Sequence, residues 1–237
     1  MLTLKSRISG YDAGSLLDVA VGRGDFLRFA ISSFRSWHSA AGIDIDAEAL
    51  QQAGNVFSNS PVILVLGSAL NMPFTDHYFD TITMSNTLHH IEKLQLLFNE
   101  TSRICKPRGL IVINEMLNES YHEAQESYML YHRFSADADN QQGKFHREPF
   151  NLKELLNIIK NTPFQLLEYF IHEEAAADIM NEEEMAAMAA RLKNKVRLLK
   201  GSSYYYFYEN KANDIISRFK KTGIQRPRHV TFLLQTR

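Results

Sequence analysis

Five short apolar runs constrain this chain most. They are Leu16–Ala20, Ser39–Ile45, Val62–Leu66, Phe79–Ser85 and Leu110–Met116, and each is bounded by polar or turn-forming residues. Helical stripes fall between them. Phe26, Leu27, Ala30, Ile31 and Phe34 recur at helix spacing over 25–34, and a second stripe runs from Glu92 to Cys105. Asp46 is placed to cap a helix reaching about Asn55. Strands alternating with helices at this spacing predict right-handed βαβ units and a parallel sheet. The runs are apolar throughout rather than alternating, so both faces of that sheet are expected to be covered.

Beyond Met116 the pattern changes. Residues 118–148 are polar, with Tyr and His scattered through them, and read as helix plus loop. Asn151 is expected to cap a helix through about Lys160, Phe164–His172 reads as a sixth strand, and 182–222 reads as two helices. His229–Gln235 alternates well enough for a final strand. No repeat or low-complexity linker divides the 237 residues, so a single domain, 1–237, is expected.

Composition adds exclusions. The net charge of −1 provides no global field for a polyanion. The single cysteine, Cys105, rules out an intrachain disulfide and fits a reducing compartment. The opening MLTLKSRISGYDAG lacks the apolar run of a signal peptide, and no stretch approaches the roughly 20 apolar residues of a membrane span, so a cytoplasmic location is the default expectation. Charge is uneven along the chain. From Met185 to Arg237, twelve Lys/Arg stand against two acids, Glu209 and Asp214. This reads either as solvated helix faces balanced by Glu182–Glu184 or as a docking surface for an anionic substrate or nucleic acid.

The turn after the first run carries the chemistry. In LLDVAVGRGDFL, Gly22 and Gly24 suggest a backbone that approaches a ligand closely. A dinucleotide fingerprint needs a third small residue where this chain has Leu27, and the Gly-Lys-Ser/Thr of a phosphate loop is absent. S-adenosylmethionine suits the residues better. Asp18 is placed to hold an ammonium, Gly22 and Gly24 leave room for the ribose and methionine parts, and Asp44, about 20 residues after the glycines, is placed to accept from both ribose hydroxyls.

With these pieces in order, the chain resembles the class I S-adenosylmethionine-dependent methyltransferases, in the branch that includes quinone-biosynthesis and other small-molecule enzymes. LLDVAVGRGDFL resembles the first motif, GIDID the acidic second, LGSALNMPFTDHYFDTITMSNTLHHI the third and fourth, and RICKPRGLIVINE the segment leading into strand five. The resemblance covers about Leu16–Glu115. It implies an α/β, Rossmann-like, seven-stranded and mostly parallel sheet, with helices on both faces and an antiparallel last strand. It implies S-adenosyl-L-methionine as cofactor and S-adenosyl-L-homocysteine as product. The implied cofactor residues are Asp18, Ala20, Gly22, Gly24, Asp44, Ile45, Ser68, Ala69, Ser85 and Asn86. Ala20 stands where the family has glycine and is expected to take φ < 0. Ser68 stands where an acid accepts from the adenine amino group, so water or a backbone carbonyl is expected to substitute. Lys106-Pro107-Arg108-Gly109 is expected to be an exposed turn. Little chain precedes strand one in this sequence, so cover for the cofactor is expected either from elsewhere, with lid segments about 118–148 and 180–222, or from chain that a truncation has removed.

The candidates for catalysis are His89 and His90 after strand four and Glu115 at the end of strand five. His90 reads as a loop support, a pocket wall or a base, and Glu115 as a substrate contact or a partner for a helix terminus. No His-x-x-x-His spacing emerges, so no metal is expected, and the histidines of 121–147 read as surface or lid residues. The aromatic run Tyr204–Tyr208 reads as a buried helix or as a lid favouring a flat aromatic acceptor. The expected function is methyl transfer to oxygen or carbon of a small molecule. Two readings compete: an RNA methyltransferase using the basic C-terminal half, and a cofactor-binding protein without catalysis, which Ala20 and Ser68 bring forward.

Overall fold

The computed structural model describes residues 3–173 and 178–237. The first two residues of the opening stretch read above for a signal peptide lie outside them. The chain divides into two compact units. The first comprises the residues up to Glu115, Lys153–His172 and Val230–Arg237, and the second comprises Met116–Leu152 and Glu173–His229.

The first unit holds the sheet. Its strands are β1 (Ser15–Val19), β2 (Ser39–Asp44), β3 (Val62–Leu66), β4 (Phe79–Ser85), β5 (Cys105–Met116), β6 (Phe164–His172) and β7 (His229–Thr236), in the spatial order β3-β2-β1-β4-β5-β7-β6. The pairs β1–β2, β1–β4, β2–β3 and β4–β5 are parallel, as the βαβ pattern requires. Against β5, the last strand runs backwards. Gly109 N–H donates to Thr236 Oγ1, while five residues further along β5 Asn114 meets Thr231. The expected seven-stranded, mostly parallel sheet with an antiparallel end is therefore the observed one.

Adjacent strand residues such as Leu16 and Leu17, or Ile111 and Val112, are all buried, so both sheet faces are covered. One face packs on α2 (Asp25–Ser33) and α3 (Ala47–Val56) through Leu27, Ala30, Ala53 and Phe57. The short α1 (Leu4–Ile8) joins the same cluster through Leu4 and Ile8. Sequence periodicity does not reveal α1, because five residues make no stripe. Its signature is the capping box formed by Thr3 and Ser6. Two further helices, α4 (Leu94–Ile104) and α6 (Leu152–Lys160), lie where their stripes predict.

Two local expectations are corrected. Lys106–Gly109 is not a turn before β5 but an excursion inside it. Phe79 pairs with Cys105 and Thr81 with Leu110, so the residues between are bulged out, with Arg108 at φ 61. Ala20 does not take φ < 0. It sits at φ 57, the left-handed conformation that glycine adopts freely, so the family's turn geometry is retained at a strain of roughly 1 kcal/mol.

The second unit is helical: α5 (Glu123–Gln141), α7 (Glu182–Leu198) and α8 (Tyr205–Thr222) pack on one another around Phe134, Leu192, Tyr208, Ile215 and Phe219. Both lid segments named above fall in this unit. The aromatic run is not buried as a block. A helix rotates about 100° per residue, so Tyr208 faces the core while Tyr206 is 75% exposed and Tyr204 and Phe207 also face out.

Gly24 supports the first unit's packing. It caps α2 at φ 86, and a Cβ there would lie 2.6 Å from the Phe57 ring. Gly24→Ala is expected to cost about 1–3 kcal/mol from strain and overpacking together, read as a lower urea midpoint. Gly22→Ala, with nothing within 4 Å of its added Cβ, is expected to lose only the strain part.

Candidate active site

The parallel strands end at one edge, and three turns meet there. Past Val19 the chain turns through Ala20–Gly24, and the Val21 N–H donates to the Ile43 carbonyl at 3.0 Å. Asp44 ends β2, half-buried. Its Oδ2 accepts from Gly22 N–H at 2.7 Å, and its Oδ1 accepts from Asp46 N–H at 2.9 Å. One carboxylate thus fastens the glycine turn to the start of α3, where the Asp46 side chain takes the N–H groups of Glu48 and Ala49. Ile45, directly after it, is 76% exposed. A large apolar side chain offered to solvent beside a fixed carboxylate is a surface on which a flat ring can lie.

Asp18 sits one residue inside β1, opposite Thr83 of β4, and is only 2% exposed. Thr83 Oγ1 donates to its Oδ1 at 2.6 Å. Burial pushes the Asp18 pKa up to about 7. The Thr83 bond works against that rise, and the nearby Asp44 charge adds to it. Two carboxylates placed this way favour a cationic ligand, which would relieve both burial and repulsion.

At the ends of β4 and β5, Ser85 Oγ accepts from Asn114 Nδ2 at 3.0 Å, and Asn86, at φ 51, gives its N–H to the Asn114 carbonyl at 2.8 Å. Asn114 Oδ1 is itself held by Thr231 at 2.9 Å and lies 3.1 Å from His172 Nε2. Ser68 Oγ accepts from Leu70 N–H at 3.2 Å, and Ala69 lies half-buried in that turn.

The three catalytic candidates are placed differently from one another. Glu115 is wholly buried. Its Oε1 accepts from the N–H groups of Thr87 and Leu88, both at 2.7 Å, and its Oε2 lies 2.9 Å from His89 Nδ1. It therefore serves the 3-10 turn Leu88–His90, one of the two roles expected for it. His89 is buried with it, while His90 is exposed. His132 and His146 are also buried, which removes the surface half of their surface-or-lid reading. Sequence reasoning did not single out Thr83, Asn114 or His172. The available signal was polar residues interrupting the strands FDTITMS and LIVINEM.

The strand order and the turns at this edge define a Rossmann-like α/β architecture. Residues 17–113 match the family described as Methyltransferase domain (Methyltransf_11). A demethylmenaquinone methyltransferase of Staphylococcus aureus (strain MRSA252) is 29% identical over 119 residues, 50% of this chain and 49% of that protein. The chain thus spans about half the length of the curated relatives it matches. Among solved structures, a putative methyltransferase from Bacillus halodurans C-125 superposes with a TM-score of 0.63 at 17% identity, covering 98% of this chain and 96% of that one. The YcgJ protein of Bacillus subtilis gives 0.60 at 16%, covering 99% and 96%. These two likenesses concern the fold. Residues 17–113, under half of the chain, thus carry the likeness to a methyltransferase domain, and the chain as a whole shares the fold of the two solved structures.

Asp18 supplies a pH test. Because its folded pKa lies above the unfolded value near 3.9, its contribution to stability is present below about pH 4 and is lost as pH rises through about 7. Asp18→Asn is therefore expected to melt higher than the wild-type chain at pH 8, by about 2–4 °C for each kcal/mol relieved. The gain should shrink towards pH 5 in calorimetric scans.

Proposed function

We propose that this chain transfers a methyl group from S-adenosylmethionine to a small-molecule acceptor, on oxygen or carbon. The observation that carries the reading is Asp44: a carboxylate held by two backbone N–H groups at the end of β2, beside the open side of Gly22 and the exposed Ile45. Asp44 would accept from the ribose hydroxyls, Ile45 would lie against the adenine, and Asp18 would face the cationic methionine end. Ser68 and Ala69 would border the adenine, and Ser85 and Asn86 the methionine part. Bound there, the cofactor would supply an electrophilic methyl group. The chain's part is alignment and exclusion of water, which can supply much of the rate of an in-line displacement. Glu115 and His89 hold the Leu88–His90 turn, and His90, its exposed member, would border the acceptor.

A small acceptor is favoured over RNA by the state of the basic half. Lys195, Lys211, Arg218 and Arg228 are paired with Asp139, Asp137, Glu123 and Glu119, so these cations are committed within the second unit. Glu182–Glu184 and Lys195 and Arg197 also occupy the ends of α7 that suit their charges. The names of the curated relatives support a quinone-like acceptor as the first to assay. Among the described residues no helix is long and apolar enough to cross a membrane.

Calorimetry with S-adenosylmethionine, followed by an assay for S-adenosylhomocysteine release on small-molecule acceptors, tests the reading. The wild-type chain is expected to bind and turn over. Asp44→Ala should lose about 10- to 100-fold in affinity, the equivalent of one or two charge-assisted hydrogen bonds. Unchanged affinity in that variant would remove the assignment, and binding without any product would favour a non-catalytic cofactor-binding protein.

A further inference from the structure

The second unit contains a buried group of side chains that the proposed reaction does not use. His132 and Asp139 lie seven residues apart on α5, two turns along one face, and His146 follows in the loop after it. The His146 backbone is clamped to the end of α5 by Asn140, whose Nδ2 donates to the His146 carbonyl at 2.6 Å and whose Oδ1 accepts the His146 N–H at 3.2 Å. Its ring is fixed as well, with Nδ1 lying 2.8 Å from Asp139 Oδ2. Asp139 is held in turn by Lys195.

This arrangement leaves His146 Nε2 aimed at His132 Nε2, 3.4 Å away, with the rings nearly perpendicular at 86°. That separation is long for an N–H hydrogen bond, whose usual range is about 2.7–3.2 Å. It matches the edge of a tetrahedral zinc shell, in which Zn–N bonds of about 2.0–2.1 Å put neighbouring ligand nitrogens roughly 3.3–3.4 Å apart. A carboxylate on the far nitrogen of a ligating imidazole is also the usual outer partner in such sites. It fixes the tautomer and orientation of the ring and raises the basicity of the ligating nitrogen.

We propose that His132 and His146 bind one divalent transition-metal ion through their Nε2 atoms, with Asp139 as the positioning residue behind His146. Nitrogen donors select zinc, cobalt, nickel or copper over magnesium and calcium. Two imidazoles do not close a tetrahedral shell, so the ion keeps positions for water or another donor.

The test uses the full chain, stripped with a chelator and titrated with Co2+ and then Zn2+. The expected result is saturable uptake of one ion per chain, with the visible absorption of nitrogen-ligated cobalt that zinc abolishes. His132→Gln and His146→Gln should each weaken uptake at least tenfold. Asp139→Asn, with both imidazoles intact, should weaken it by about 10- to 100-fold. Should the variants unfold, nitrogen NMR of the unaltered chain decides: zinc is expected to move the Nε2 resonances of two histidines. No saturable uptake by the wild-type chain, or equal uptake by the folded double variant His132→Gln/His146→Gln, would overturn the site. Unchanged uptake in Asp139→Asn would overturn the positioning role.

Discussion

The Asp44 carboxylate is the constraint on which the rest of this site depends. It takes one backbone N–H from the glycine turn and one from the approach to α3, and so sets the distance between the ends of β1 and β2. Those two bonds occupy one direction on each oxygen and leave the remaining lone pairs for a ligand. The same contact explains why Ala20 is tolerated at φ 57. The turn is held from outside, by Asp44 on Gly22 and by Ile43 on Val21, so the strain of one left-handed alanine is absorbed by bonds its neighbours make.

The neighbouring carboxylate has a different character. Asp18 is desolvated, near a like charge, and supported by one hydroxyl, so in the free protein it sits close to its titration point at neutral pH. A cationic ligand would draw it into the ionised form. Binding of a sulfonium or ammonium compound there would therefore release a proton, and the glycine-lined edge would select by charge as well as by shape. Glu115 shows the other use of a buried carboxylate. With two N–H groups and an imidazole around it, it holds a turn.

Much of the fold was legible in the sequence because its signals are local. Val62–Leu66, Phe79–Ser85 and Phe164–His172 were bounded correctly by turn residues, and Asp46 announced α3 as its cap. The errors came where a non-local contact decides. Cys105 enters β5 because Phe79 pairs with it across the Lys106–Gly109 bulge, which no run of apolar residues announces. Tyr204–Tyr208 has aromatic composition but its exposure follows helix rotation against Phe134 and Phe219. Two acids and two glycines pointed to one strand edge, where Asp44 and Gly22 do meet. His132, Asp139 and His146 were not legible, because their convergence depends on the Asn140 clamp that folds the loop back on α5.

A crystal structure of the chain with S-adenosylhomocysteine bound tests the central claim most directly. The account predicts both ribose hydroxyls within about 2.7–3.1 Å of the Asp44 oxygens, with the adenine against Ile45 and the Gly22 and Asp46 N–H bonds intact. A nucleoside seated elsewhere, or a ribose turned away from Asp44, would contradict it.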